Sequence, residues 1–213
     1  HLFKALERLI LWHLHNTTLF FFFFSNRQFA FQRGKSCDHA LSLVVSHIEQ
    51  SIYNRKLTIG VFLDIEGAFD NLDPLAVIES LERRDTPYHL IRWFSNYLTN
   101  RLISVDYKGV KMRRKVVTGT PQGGVLSPML WNLTIDEILQ VLEGDDRIMV
   151  VTFADDIVLL CSGESFDVIF EILQEKINML VNWGKTRRLK FSATKSNAVL
   201  FTQRTRGIET LKQ

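Results

Sequence analysis

Hydrophobic residues recur along the chain with two different periods, and the places where the period changes mark its elements. Leu2, Phe3, Leu6, Leu9 and Ile10 fall at helical spacing and predict an amphipathic helix at the start. A second helix over 37–53 sets Ala40, Leu41, Val44, Val45 and Ile48 on one side. Residues 57–63 form a short apolar, β-branched run ending at Asp64, the pattern of a buried strand. Asp73 followed by Pro74 reads as an N-cap with proline at the first helical position, continued by Ala76, Val77, Ser80 and Leu81. A helix is expected over 90–98, then a strand pair over 102–117 turning at Lys108-Gly109. Residues 119–124 make a glycine and proline loop, and 125–142 a further helix. Two apolar strands, 148–153 and 157–160, are separated only by Ala154-Asp155-Asp156. Ile169, Ile172, Leu173, Ile177, Leu180 and Val181 mark a last amphipathic helix ending at Gly184, and 198–202 a final strand. Strands and helices intermix around a central hairpin, so the expected class is α+β, a sheet with helices on one face.

Composition narrows the class of protein. The 213 residues are 46% hydrophobic and 23% charged, which suits one large folded domain or two small ones and argues against disorder. There is no internal repeat and no linker. The longest purely apolar run, 19–24, falls far short of the roughly 20 residues of a spanning helix, and no targeting signal is visible, so no membrane is expected. Cys37 and Cys161 stand far apart with no His or Cys at ligand spacing, so neither a disulfide scaffold nor a zinc site is indicated, and a reducing, intracellular setting, cytoplasm or nucleus, is expected. Five of the 16 phenylalanines are consecutive, Phe20 to Phe24, and read as a buried strand or helix end. The chain begins with His, so it is expected to be a segment of a longer product.

The net charge of +3 hides an asymmetry. Residues 136–175 carry eleven Asp or Glu against one Arg, whereas 183–206 carry seven Lys or Arg and no acid, and 101–115 carry six against Asp106. Basic strips beside an acidic centre suit a protein that grips a polyanion by its edges and cations in the middle.

The candidate chemistry lies in that centre. One apolar strand delivers Asp64 at its end, and two others meet at a turn holding Asp155 and Asp156. Adjacent acids among apolar strands are costly unless cations neutralise them. Three carboxylates at neighbouring strand ends form a hard oxygen site suited to Mg²⁺, and two such ions about 3.5–4 Å apart would activate a hydroxyl and stabilise a leaving oxygen. That is phosphoryl or nucleotidyl transfer. Gly144-Asp145-Asp146 imitates such a motif, but the residues before it are helical, so it is assigned to a solvated turn. Between the two acidic motifs, the loop 119–128 offers glycines for close backbone approach and Gln122 for a sugar or base edge.

The ordered strings FLDIEGAFD (62–70), TPQGGVLSPMLWNL (120–133) and FADD (153–156) resemble the palm domain of reverse transcriptases. The flanking strings QFAFQRGKS (28–36), WFSNYLTNR (93–101) and LKFSATKSNAVLF (189–201) are similar to those of non-LTR, LINE-type retrotransposons. The resemblance implies a right-hand polymerase fold whose palm is an antiparallel sheet backed by helices. It assigns about 1–60 to partial fingers and 61–205 mostly to palm, with the thumb absent and 206–213 a truncated tail. It implies a reverse transcriptase that copies an RNA template from a DNA primer with dNTPs and two Mg²⁺ ions, for which Mn²⁺ is a substitute. Asp64, Asp155 and Asp156 would be the catalytic metal-binding triad, with the Ile65 carbonyl as an extra ligand. Phe69 would select deoxynucleotides by clashing with a 2′-hydroxyl, and Gln122 and Gly123 would line the nucleotide and template site. Lys195 would assist the pyrophosphate leaving group, and Arg33 and Lys35 would meet the triphosphate. The chain reads Ala30-Phe31-Gln32 where the family usually reads Gly-Phe-Arg. A catalytically inactive nucleic-acid-binding remnant, a group II intron or retron-type polymerase, and a nucleotidyl cyclase on the same palm stay open, as does the oligomeric state.

Overall fold

A computed structural model describes residues 2–17 and 24–203. In chain order the elements are α1 (Leu2–Asn16), α2 (Cys37–Tyr53), β1 (Leu57–Leu63), α3 (Ala68–Asn71), α4 (Pro74–Glu82), α5 (Tyr88–Thr99), β2 (Arg101–Tyr107), β3 (Val110–Val116), α6 (Ser127–Glu143), β4 (Ile148–Phe153), β5 (Asp156–Gly163), α7 (Phe166–Thr186) and β6 (Asn197–Phe201). The chain forms two compact units: residues 1–24, 66–137 and 185–189 make the first, and residues 25–65, 138–184 and 190–213 the second.

The second unit is built on a four-stranded antiparallel sheet in the order β4-β5-β1-β6. Its centre is β1, whose Leu-Thr-Ile-Gly-Val-Phe-Leu sequence is buried on both faces, as the uninterrupted apolar run requires. Ser36 caps α2 by accepting the His39 amide hydrogen, and α2 lays Ala40 and Val44 on Val151 and Leu160. On the opposite face Ile59, Val61, Leu159, Cys161 and Val150 are buried too. Cover on one face alone was therefore too narrow an expectation, and the β-branched and Leu residues on both sides of the pleat are the reason.

In the first unit α4 packs against α5, with Val77, Leu81, Phe94 and Leu98 buried. Asp73 accepts the Leu75 amide hydrogen and Pro74 opens the helix, as the sequence indicates. The hairpin β2–β3 turns at Lys108-Gly109, both with positive φ, and its strands are exposed over 102–115.

Three local expectations need correction. In α1 the buried stripe is Glu7, Ile10 and Leu14, whereas Leu2, Phe3, Leu6 and Leu9 are exposed. The cause is a polar bond: the Glu7 carboxylate accepts the Tyr97 hydroxyl at 2.5 Å and the Val125 amide at 3.3 Å, turning that face inward. In α2, Leu41 and Val45 are likewise exposed. Gly184 does not end α7, which runs to Thr186; the left-handed residue after it is Arg188, with φ 58. Of the phenylalanine run, Phe24 is half-buried beside the Arg84 guanidinium, 5.9 Å from its ring centre. The rest of that run and the 206–213 tail lie outside the described residues.

Gly119 is required by its surroundings. Its φ is +72, and a Cβ there would stand 2.4 Å from the Asp70 carbonyl oxygen. Gly123 has φ +70 but open space around it. Gly119→Ala should therefore lower stability by about 3 kcal/mol, combining left-handed strain with a backbone clash, and Gly123→Ala by about 1 kcal/mol. Urea midpoints of the two variants check this, and equal losses would contradict it.

Candidate active site

Strand register assembles the site in the second unit. β1 and β5 pair antiparallel through Leu63 and Ile157, so Asp64 and Asp156 each stand one step beyond that pair. By alternation they share the face of Phe62 and Val158, the face that α2 covers. Asp155 lies in the two-residue turn of the β4–β5 hairpin, after Ala154 with φ 56. A positive φ at this position suits the twist of a tight hairpin but strains a residue with a Cβ.

Two segments support these strand ends. The amide of Phe29 donates to the Thr152 carbonyl at 2.9 Å, the amide of Thr152 donates to the Arg27 carbonyl at 2.8 Å, and the buried Gln28 side chain donates to the Ala154 carbonyl at 3.3 Å. The Gln28 amide oxygen in turn accepts from the Ala30 amide at 2.9 Å. On the other side, Ser192 donates its amide to the Asp64 carbonyl at 2.8 Å, and the Asp64 amide donates to the Ser196 hydroxyl at 3.3 Å. Ile65 is buried and bridged to Phe191. Gln28 was not singled out in the sequence; nothing in the periodicity separates it from a surface glutamine.

Asp64 and Asp156, but not Asp155, line a cavity of about 310 Å³ together with Ala40, Leu41, Val44, Phe62, Phe153, Val158 and Lys195. Asp64 Oδ2 is shielded from solvent and accepts no hydrogen bond, and the Lys195 ammonium lies 3.5 Å away. Partial burial, with Asp155 and Asp64 adding like charge, pushes the Asp156 carboxyl above its ordinary value. A solvent-shielded oxygen that accepts no hydrogen bond and faces an ammonium at 3.5 Å, beside mutually repelling carboxylates, is donor chemistry that a hard divalent cation satisfies. Among the described residues no three His, Cys, Asp or Glu side chains form a ready metal cage.

The other sequence candidates are placed as follows. Arg33 is exposed. The Lys35 ammonium donates to the carbonyls of Ser25, Asn26 and Gln28 at 3.0–3.3 Å and sits over the Phe29 ring, so it fastens its own loop. The Gln32 amide folds back to the Gln28 carbonyl at 3.0 Å. In the first unit, Phe69 packs on Trp131 with ring centres 5.6 Å apart, and its carbonyl accepts the Thr120 amide at 2.8 Å. The Gln122 amide reaches the Asp70 carboxylate at 3.2 and 3.4 Å, and Gly123 is exposed beside it.

Several of the remaining acids are already partnered. Asp145 bonds Arg147 at 2.5 Å and Lys176 at 2.6 Å, which holds its carboxyl far below the usual range. Asp136 pairs with Arg84, and Glu137 with Arg83 and Arg187. The basic 183–206 segment is partly consumed as well, since Arg187 and Arg188 bind Glu137 and Asp73.

The family model described as reverse transcriptase (RNA-dependent DNA polymerase) matches residues 1–211. The retrovirus-related Pol polyprotein from type-1 retrotransposable element R1 of Bradysia coprophila is 32% identical over 81% of the chain and 17% of its own length. The RNA-directed DNA polymerase from mobile element jockey of Drosophila melanogaster is 28% identical over 84% of the chain and 20% of its length. The chain thus spans about a fifth of the length of these relatives. Among solved structures, telomerase of Candida tropicalis bound to a fragment of telomeric RNA superposes with a TM-score of 0.67 at 13% identity, covering 91% of this chain and 33% of that one. The apo enzyme truncated from its C-terminal domain gives 0.65 at 12% identity, covering 93% and 40%. The α+β palm expected from the sequence is the fold these neighbours share. No helix among the described residues is long and apolar enough to cross a membrane.

An acid whose pKa is raised by folding binds its proton more readily in the folded state, so its contribution to stability is present at low pH and lost as pH rises through the folded value. Asp156→Asn should therefore raise the thermal midpoint of divalent-free protein at pH 7. The difference should close as pH falls toward the ordinary carboxyl value of 3.8. Scanning calorimetry in chelator at several pH values checks this, and a lowered midpoint at pH 7 would contradict it.

Proposed function

The chain belongs to the reverse transcriptase (RNA-dependent DNA polymerase) family, and from that premise we propose that it is the polymerase domain of a non-LTR, LINE-type retrotransposon. It extends a DNA primer on an RNA template with deoxynucleoside triphosphates. The observation that supports this most is Asp64 with a solvent-shielded, hydrogen-bond-free oxygen on the same sheet face as Asp156, beside the Asp155 turn. In this reading residues of about 1–60 carry part of the fingers and 61–205 most of the palm, and the protein works inside the cell.

Members of the family generally use divalent metal ions. In the proposal Asp64, Asp155, Asp156 and the Ile65 carbonyl hold two Mg²⁺ ions, or Mn²⁺ in their place. Such ions, when bound, lower the pKa of the primer 3′-hydroxyl and stabilise the leaving oxygen of an in-line displacement. Lys195 balances Asp64 before substrate arrives and supports the departing pyrophosphate afterwards. Its side chain is more than half exposed and attached to the same Ser192–Ser196 turn that clasps Asp64, so it can move between these tasks. Phe69 excludes a 2′-hydroxyl, while Gln122, oriented by Asp70, and Gly123 line the nucleotide and template. Arg33 is the principal contact to the triphosphate, because Lys35 is engaged with three carbonyls of its own loop.

A second reading, a nucleic-acid-binding remnant without turnover, is favoured by one observation: Gln32 stands where the family carries arginine, and its amide is turned to the main chain. Primer extension on an RNA template with Mg²⁺ separates the two. The proposal expects extension by the wild-type chain and a loss of roughly 10²–10³-fold in Asp155→Asn. Equal rates would overturn the triad, and retained duplex binding without extension in either would establish the remnant. Phe69→Val should raise ribonucleotide relative to deoxyribonucleotide incorporation about tenfold or more, measured as a ratio of kcat/KM; an unchanged ratio would remove Phe69 from sugar selection.

A further inference from the structure

The hairpin β2–β3 carries six cations over 101–115, and the fold sorts them into different tasks. Arg101 is turned inward, donating to the carbonyls of Leu98, Thr118 and Gly119 at 3.0, 2.5 and 2.6 Å. Lys108 sits at the tip, 5.5 Å from the centre of the Tyr107 ring. The register pairs Leu102 with Lys115, Ser104 with Arg113 and Asp106 with Lys111, so these six share one face of the ribbon. Ile103, Val105, Tyr107, Val110 and Met112 fall on the other face together with Arg114. The hairpin is therefore amphipathic in an unusual sense: one exposed face is apolar except for Arg114, and the other carries three cations with a single acid, Ser104 and Leu102.

A two-stranded ribbon with neither face covered is marginal in water, and this one is exposed on both sides over 102–115. Its cationic face calls for a polyanion on charge grounds. The three cations occupy alternate positions of one strand, spaced by about 6.8 Å, roughly twice the 3.4 Å axial rise per phosphate along a single strand of a duplex. The Ser104 hydroxyl opposite Arg113 adds a donor of the type that positions phosphates without reading sequence.

We infer that the Lys111, Arg113 and Lys115 face of the β2–β3 hairpin grips the phosphate backbone of the template–primer duplex. The inference rests on the polymerase reading above and adds to it a duplex-holding surface outside the carboxylate site. The contact is sequence-independent, and the apolar face takes no part in it.

The test is fluorescence anisotropy of the 213-residue chain with a labelled RNA–DNA primer duplex between 50 and 200 mM salt. Each phosphate contact contributes about 0.9 to the slope of log affinity against log salt. Replacing Lys111, Arg113 and Lys115 together by Gln should flatten the slope by roughly 2–3, so that the advantage of the wild type shrinks about forty-fold across that range. The charge-preserving set Lys111→Arg, Arg113→Lys and Lys115→Arg should keep the wild-type slope, as should Ile103→Ser with Met112→Ser on the other face. A slope unchanged by the Gln set, or flattened equally by the charge-preserving or apolar-face set, overturns the inference while leaving the polymerase reading intact. Failure of the wild type to bind the duplex at low salt would instead overturn that reading, and the inference with it.

Discussion

The candidate carboxylate site depends on the register of two central strands. β1 and β5 meet so that Leu63 faces Ile157, and that pairing alone brings Asp64 and Asp156 to one end and one face of the sheet. Because side chains alternate with period two, a slip of a single residue would send one carboxylate to the opposite face. The register is held by apolar side chains buried on both faces of β1 and β5, where a slip would also misplace the core. The site thus inherits its precision from hydrophobic packing, while the bonds to Gln28 and to the Ser192–Ser196 turn fix only the ends.

Charge is organised by the same economy of partners. Asp136, Glu137, Asp145 and Glu175 are all met by arginine or lysine, so their charge is balanced within the protein. At the strand ends the balance differs: partial burial and two acidic neighbours raise the Asp156 carboxyl above its ordinary value, and one exposed lysine faces Asp64. Unsatisfied charge of this kind is costly to the isolated chain and useful only where a cation arrives with substrate. The net charge of +3 therefore describes neither a uniformly basic surface nor a wholly acidic centre.

Much of the architecture was legible in the sequence because it rests on strong, local patterns. The continuous apolar run of β1, the Asp73-Pro74 helix start and the Lys108-Gly109 hairpin each follow from one physical rule, whereas the turn between β4 and β5 is one residue shorter than the pattern indicates, because Asp156 already pairs with Phe153. The acidic motifs were legible for the same reason, since only Asp155-Asp156 has apolar strands on both sides, while Asp145-Asp146 follows a helix. What escaped was non-local. The inward face of α1 is chosen by Glu7 bonding a residue ninety positions away, and helical periodicity alone points to the wrong stripe. Gly184 looked like a helix stop, yet the left-handed turn falls at Arg188. The basic runs read as uniform strips, and only pairing showed that Arg101, Arg187 and Arg188 are held by the protein's own carbonyls and carboxylates.

The central claim is that Asp64, Asp155 and Asp156 together hold divalent metal ions. Anomalous diffraction from crystals of the chain with template–primer, a deoxynucleoside triphosphate and Mn²⁺ tests it most directly. The account predicts anomalous density between Asp64 and the Asp155-Asp156 pair, lost in Asp64→Asn. Density absent from that face of the sheet, or centred on Asp145 and Asp146, would contradict it.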